Sequence, residues 1–222
     1  MQHDRSFTRV IQKQVGARYL LFLPEGYGAD PAQRWPLILF LHGAGERGSD
    51  LSLVKRHGPP RLAEERPADF PFIVVSPQCP EGETWDADVL LALLDEVCAT
   101  YAVDEERIYL TGLSMGGMGA FDLALTAPHR FAAVAPICGA GNPLRVRPEH
   151  AVLPFWVFHG DQDEIVPPAM SAQMVEALRA VGAPVKFTLY PGVAHDSWTQ
   201  TYANPELYQW FLQHRRHGAA TA

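Results

Sequence analysis

The stretch RIYLTGLSMGGMGAFDLALTAP, residues Arg107–Pro128, decides how this chain is read. Its opening, RIYLTG, is a short apolar run of the kind that forms a buried strand. Its second half is rich in small residues and stops at Pro128, which predicts a helix. Between the two stand Gly112, Leu113, Ser114, Met115, Gly116 and Gly117. Glycines let the chain turn where a Cβ would collide, so the spacing predicts a strand bending abruptly into a helix, with the Ser114 hydroxyl exposed at the bend. By average Gly and Ser usage, a bare Gly-x-Ser-x-Gly arises by chance in about one chain in fifteen of this length. The rest of the sequence has to decide between a reactive hydroxyl and an ordinary turn.

On either side of that stretch the same alternation continues. ARYLLFLP (Ala17–Pro24), PLILFLHG (Pro36–Gly43), FIVVSPQ (Phe72–Gln78), FAAVAPICG (Phe131–Gly139), PFWVFHG (Pro154–Gly160) and VKFTLYPG (Val185–Gly192) read as strands. DADVLLALLDEVCATY (Asp86–Tyr101), PAMSAQMVEALRAVG (Pro168–Gly182) and NPELYQWFLQHRR (Asn204–Arg216) read as helices, the second closed by Gly182. Short apolar strands alternating with helices predict an α/β fold: a mostly parallel central sheet covered on both faces, in a single domain over residues 1–222. Two connections bear on access. The polar, proline-containing stretch from Gly43 to Phe70 borders a cleft in this scheme. The gap from Gly139 to Pro154 holds only about a dozen residues, too few for a large cap domain. The site is therefore expected to be open.

The 222 residues suffice for a substantial core, and the net charge of −7 disfavours nucleic acid and anionic membrane surfaces as partners. HRRH, residues 214–217, reads as a solvated helix end. No signal-peptide pattern and no membrane-length apolar run is present, so a cytoplasmic protein is expected. Cys79, Cys98 and Cys138 fit neither a disulfide framework nor a metal spacing and read as small core residues. Metal, nucleotide and nicotinamide motifs are missing, so no metal or cofactor is expected. The sequence leaves the oligomeric state open.

A reactive serine needs a base, an acid to orient the base, and donors for an oxyanion. In open α/β sheets such groups gather at the carboxyl ends of strands. FWVFHGDQDEIVPP offers Asp161 and Asp163 behind one strand, and FTLYPGVAHDSW offers His195 behind the last. Asp163, where the chain turns apolar again, is the expected acid, and Asp161 a turn residue. Ser114, Asp163 and His195 thus follow three different strands in the order of a known catalytic triad. LILFLHGAGERG supplies a glycine loop after an earlier strand, so the amides of Ala44 and Met115 are the expected oxyanion donors, with Gly43 or Gly45 as substitutes for Ala44. Trp85, Trp198 and Gly43 are candidates for the substrate pocket, the two tryptophans equally for the core. His42 and His159, each before a glycine at a strand end, are expected to brace loops. His57 fits either surface or cleft wall. Glu46 and Arg47 are expected to pair with each other or another loop, with a substrate role as the lesser alternative, and Asp196 is expected to be structural.

Together LILFLHGAGERGSD, FIVVSPQCP, RIYLTGLSMGGMGAFDLA, FWVFHGDQDEIVP and GVAHDSW resemble the α/β-hydrolase superfamily, over about Arg18 to Trp210. More narrowly they resemble its small phospholipase/carboxylesterases, feruloyl-type esterases and polyhydroxybutyrate-depolymerase-like proteins. That resemblance implies Ser114 as nucleophile, His195 as base and Asp163 as acid. It implies a carboxylesterase acting through an acyl-enzyme on a small-molecule ester, without cofactor. The open site favours short-chain or aryl esters. Missing accessory modules argue against an insoluble polymer, and the missing propeller against peptides. The alternatives are an acyltransferase using the same acyl-enzyme and a non-catalytic binding protein on the same scaffold.

Overall fold

A computed structural model describes residues 1–216. The strands are β1 (Tyr19–Phe22), β2 (Trp35–Leu41), β3 (Ile73–Pro77), β4 (Val103–Leu113), β5 (Ala133–Ile137), β6 (Phe155–Gly160) and β7 (Val185–Tyr190). They form one sheet in the order β1-β3-β2-β4-β5-β6-β7. Only β1 pairs antiparallel, against β3; the other pairings are parallel. Strand by strand this is the mostly parallel sheet the apolar runs predict.

Alternation along β2 explains how one strand serves two cores. Leu37, Leu39 and Leu41 join a cluster on one face; Ile38 and Phe40 join the cluster on the other. The first cluster is covered by α2 (Ala87–Thr100), α3 (Met115–Thr126) and α4 (Pro168–Ala180). The second is covered by α1 (Gly58–Glu65), α5 (Trp198–Ala203) and α6 (Pro205–Gln213). The stacking of Phe211 in α6 on Tyr109 in β4, centroids 4.9 Å apart, exemplifies the second face. Pro36 lies in an interior strand, where it cannot donate to the ladder, and the β2–β4 register shifts there, between Trp35 and Leu37.

Two helices depart from the sequence expectation. The stretch from Gly43 to Phe70 is not simply a polar connection, because it contains α1 after a short 3₁₀ segment (Leu51–Arg56). Pro59 and Pro60 sit in the first turn of α1, where a missing N–H costs no helical hydrogen bond. The six-residue α5 is likewise additional. Gly182 takes φ of 88° just past α4, as a helix-closing glycine does.

From β2 the chain steps to one side for β3, returns across the sheet to β4, and then proceeds outward through β5, β6 and β7. The connections from neighbouring β2 and β4 thus run to opposite sides, which opens a crevice at their carboxyl ends.

Candidate active site

Ser114 is the first residue after β4, with φ of 54° and ψ of −117°. A non-glycine residue rarely adopts such a conformation, which costs on the order of 1–3 kcal/mol and must be imposed by its surroundings. Those surroundings are backbone. A Cβ on Gly116 would land on the Leu41 carbonyl, and one on Gly112 would land on the Gly116 carbonyl. The N–H of Ser114 donates to Ile137 O of β5 at 3.0 Å, and its carbonyl accepts from Met118 N at 2.9 Å. The bend is thereby pinned from both sides.

His195 lies in the loop between β7 and α5, and Asp163 in the loop after β6. The structure brings all three side chains together. Ser114 Oγ lies 2.9 Å from His195 Nε2, and His195 Nδ1 lies 2.7 Å from Asp163 Oδ2. Asp163 Oδ1 accepts from the Ile165 and Val166 N–H groups, both at 2.9 Å. Burial pushes the Asp163 carboxyl up, but the His195 hydrogen bond and these backbone donors outweigh it and hold it below the ordinary carboxylate range. A carboxylate that stays ionised beside Nδ1 fixes the imidazole tautomer, leaving Nε2 free to take the hydroxyl proton.

Met115 and Ala44 open α3 and a 3₁₀ turn (Ala44–Glu46), respectively. The first N–H groups of a helix have no partner inside it. Among the described residues neither of these two N–H groups has a protein acceptor. Met115 is buried and Ala44 exposed. Gly43, immediately before Ala44, is buried.

The remaining candidates take definite places. Asp161 accepts from Gly192 N at 2.7 Å and holds the β7 turn instead of touching His195. His42 is buried: its Nδ1 contacts Gly43 O at 2.6 Å and its Nε2 accepts from Cys79 N at 3.0 Å. Burial lowers the pKa of His42, consistent with a neutral ring bracing the loop after β2. Trp85 packs edge-on to that ring and donates to the His42 carbonyl at 3.2 Å, so it backs the loop. It also lines a cavity of about 470 Å³ with Arg18, Gln78 and Cys79. Trp198 stands edge-on to both His195 and His57. Glu46 is buried with Oε1 3.8 Å from His57 Nε2, and burial raises its carboxyl above the usual range. Arg47 bonds backbone carbonyls of Ala44 and Glu83, not the Glu46 carboxylate. Asp196 accepts from Thr199 at the start of α5.

All three cysteines pack in or against the core, as expected. Cys79 is buried and Cys98 half-buried. Cys138 is buried too, but directly behind the site: its thiol, an Asp163 oxygen and a His195 nitrogen lie within 4.8 Å of one another. The sequence offered no sign of this, because Cys138 reaches the site only through a left-handed turn after β5, with φ of 40°. These are metal-ligand types. Yet the Asp163 oxygens already serve His195 and two backbone donors, and burial pushes the Cys138 thiol up to about 12, so it stays protonated.

A family model described as phospholipase/carboxylesterase matches residues 63–204, well over half of the chain. The chain belongs to that family. Ser114, Asp163 and His195 all fall inside the matched span of this phospholipase/carboxylesterase family member. Among curated proteins, NocK of Nocardia uniformis subsp. tsuyamanensis, named as an esterase, is 32% identical over 162 residues, covering 67% of this chain and 46% of its own. A protein named as feruloyl esterase C from Aspergillus terreus is 29% identical over 141 residues, covering 60% and 50%. The chain thus spans half or less of the length of these relatives. Among solved structures, a thermostable esterase superposes with a TM-score of 0.78 at 35% identity, covering 89% of this chain and 59% of that one. With the sheet described above, these matches establish the α/β-hydrolase fold. Among the described residues no helix is long and apolar enough to cross a membrane.

Proposed function

We propose that this chain is a serine carboxylesterase that hydrolyses short-chain or aryl carboxylic esters. The observation that carries the reading is the unbroken line from Ser114 Oγ to His195 Nε2 (2.9 Å) and from His195 Nδ1 to Asp163 Oδ2 (2.7 Å). Support also comes from family membership and from relatives named as esterases, one of them a feruloyl esterase.

In this mechanism His195 Nε2 removes the Ser114 proton as Oγ attacks the ester carbonyl carbon. The carbonyl oxygen becomes an oxyanion held by the free N–H groups of Met115 and Ala44, each such donor being worth roughly 2.7–4 kcal/mol in the transition state. The imidazolium, stabilised by Asp163, gives its proton to the departing alcohol. Water, deprotonated by His195, then attacks the acyl-serine, and the collapsing intermediate returns Ser114 and releases the acid. Trp198, against His195, is the proposed wall for the entering ester. Trp85 and Gly43 serve the pocket indirectly, through the loop they shape.

The test is initial hydrolysis of p-nitrophenyl acetate, butyrate, octanoate and palmitate, and of methyl ferulate, by wild type and Ser114→Ala. The variant is expected to lose about 10⁴- to 10⁶-fold in turnover. A Ser114→Ala protein that keeps the wild-type rate sinks the proposal.

A further inference from the structure

Asp163 has a second histidine on it. His159, the penultimate residue of β6, is fully buried, and its Nε2 lies 3.1 Å from Asp163 Oδ2 and 2.8 Å from the Val166 carbonyl. Both neighbours are acceptors, so Nε2 must carry a proton and donate to them. The other ring nitrogen, Nδ1, lies 2.7 Å from Ser171 Oγ on α4, which in turn is 2.8 Å from the Gly139 carbonyl. Ser171, like His159, is 0 % exposed.

Two consequences follow from this connectivity. Asp163 Oδ2 receives one hydrogen bond from each histidine, one fixed in the core and one, His195, at the surface of the site. Moreover the Gly139 backbone packs directly on Gly117 of α3, where a Cβ on either residue would collide with the other or its neighbour. The chain Gly139–Ser171–His159–Asp163–His195–Ser114 therefore starts at a loop residue packed against the first turn of α3 and ends at the serine that caps that helix.

We infer that His159, held by Ser171, is a positioning residue that fixes the rotamer of Asp163 and through it the orientation of His195. This rests on the esterase reading given above. His159 touches no reacting atom. It acts by tying the acid, and the loop carbonyl of Val166 behind it, to the rigid end of β6. The Ser171 hydroxyl has one proton to give and lies between the Gly139 carbonyl and His159 Nδ1, and with both side chains fully buried the imidazole is held by polar contacts on both of its nitrogens. The other ionisable group against Asp163 is Cys138, whose protonated thiol offers no competing charge.

The test is a kinetic cycle on p-nitrophenyl acetate with wild type, His159→Leu, His159→Gln, Asp163→Asn and the His159→Leu/Asp163→Asn double variant. Ser114→Ala is the control, and thermal melts establish that each protein is folded at the assay temperature. Misplacement of a catalytic group by about 1 Å costs up to about 100-fold, so His159→Leu is expected to lower kcat about 10- to 100-fold with KM within about two-fold of wild type. His159→Gln, whose amide can still donate to Asp163, should recover most of the loss. In the Asp163→Asn background His159→Leu should cost almost nothing more, because the residue through which it acts is already disabled. A folded His159→Leu enzyme with wild-type kcat overturns the inference, as does a double variant whose losses multiply. If His159→Leu does not fold, Ser171→Ala decides: kcat falls at unchanged KM, or the inference fails. If hydrolysis survives Ser114→Ala, the esterase reading fails and takes this one with it; if it does not, a silent His159 removes the positioning role alone.

Discussion

Asp161 and Asp163 stand two residues apart in one loop, yet their surroundings give them opposite tasks. Asp161 spends its carboxylate on Gly192 N, whereas Asp163 faces His195. Asp163→Asn is therefore expected to lower kcat by about 10⁴-fold, since an amide there favours the wrong imidazole tautomer. Asp161→Asn, which weakens one hydrogen bond in a turn, should cost less than about tenfold. Steady-state rates at matched folded concentrations compare them. Glu46 makes a different prediction. Its folded pKa is raised by burial, so the unfolded chain releases that proton at lower pH than the folded one does. Below the ordinary Glu range the group costs nothing; as pH rises through the raised folded value, stability is lost. Glu46→Gln should consequently melt at a higher temperature than wild type at neutral pH, with the gap closing under acid. A gap independent of pH would contradict this. Residues of the proposed triad were legible because each follows its own apolar run. The link from His159 to Asp163 was not, because the i to i+4 contact depends on a turn whose shape the letters HGDQD do not dictate.

At the level of elements, strands announced themselves better than helices. β2, β3, β5 and β6 are short apolar runs bounded by glycine or proline, and burial on both faces leaves such a run few alternatives. α1 did not announce itself: GPPRLAEE has adjacent prolines and a mostly polar face, and burial of Pro59, Pro60 and Ala63, with Leu62 packed against the cluster, makes it worth forming. α5 is shorter than any periodicity can declare. The junction of β4 with α3 is the most constrained of all. Because a Cβ at Gly116 meets the backbone of Leu41 in the neighbouring strand, no side-chain rotation can relieve it. Gly116→Ala should destabilise by at least about 3 kcal/mol, read as a lower midpoint in urea unfolding, and should impair activity even where the protein folds. An unchanged midpoint would mean the strand and helix do not approach so closely. Phe211→Ala tests the opposite face: emptying the stack on Tyr109 should cost about 3–5 kcal/mol while leaving kcat of the folded enzyme near wild type.

For the whole molecule, the order of the strands matters more than their number. It places the ends of β2, β4, β6 and β7 along one edge of the sheet, and everything proposed to touch an ester comes from that edge. The connection between β5 and β6 contains only 3₁₀ turns, Pro143–Arg145 and Pro148–Val152, so no cap of helices rises from it. The His195 side chain is 20 % exposed. On the proposed esterase reading, acetate or butyrate esters should outrun palmitate by at least about tenfold in kcat/KM. Faster turnover of palmitate would point to an apolar surface that receives the chain. The opposite edge of the sheet is closed by other means. Tyr109 donates to the carbonyl of His214, Arg216 N donates to Glu106 O at the start of β4, and the Arg216 guanidinium reaches the His129 carbonyl ahead of β5. The last described residue is thus stitched to the amino-terminal part of β4, with Arg107–Leu113 between its partner Glu106 and Ser114. An attachment made near Arg216 would therefore hold the molecule by the edge of the sheet remote from the proposed triad, leaving Ser114 turned toward the liquid.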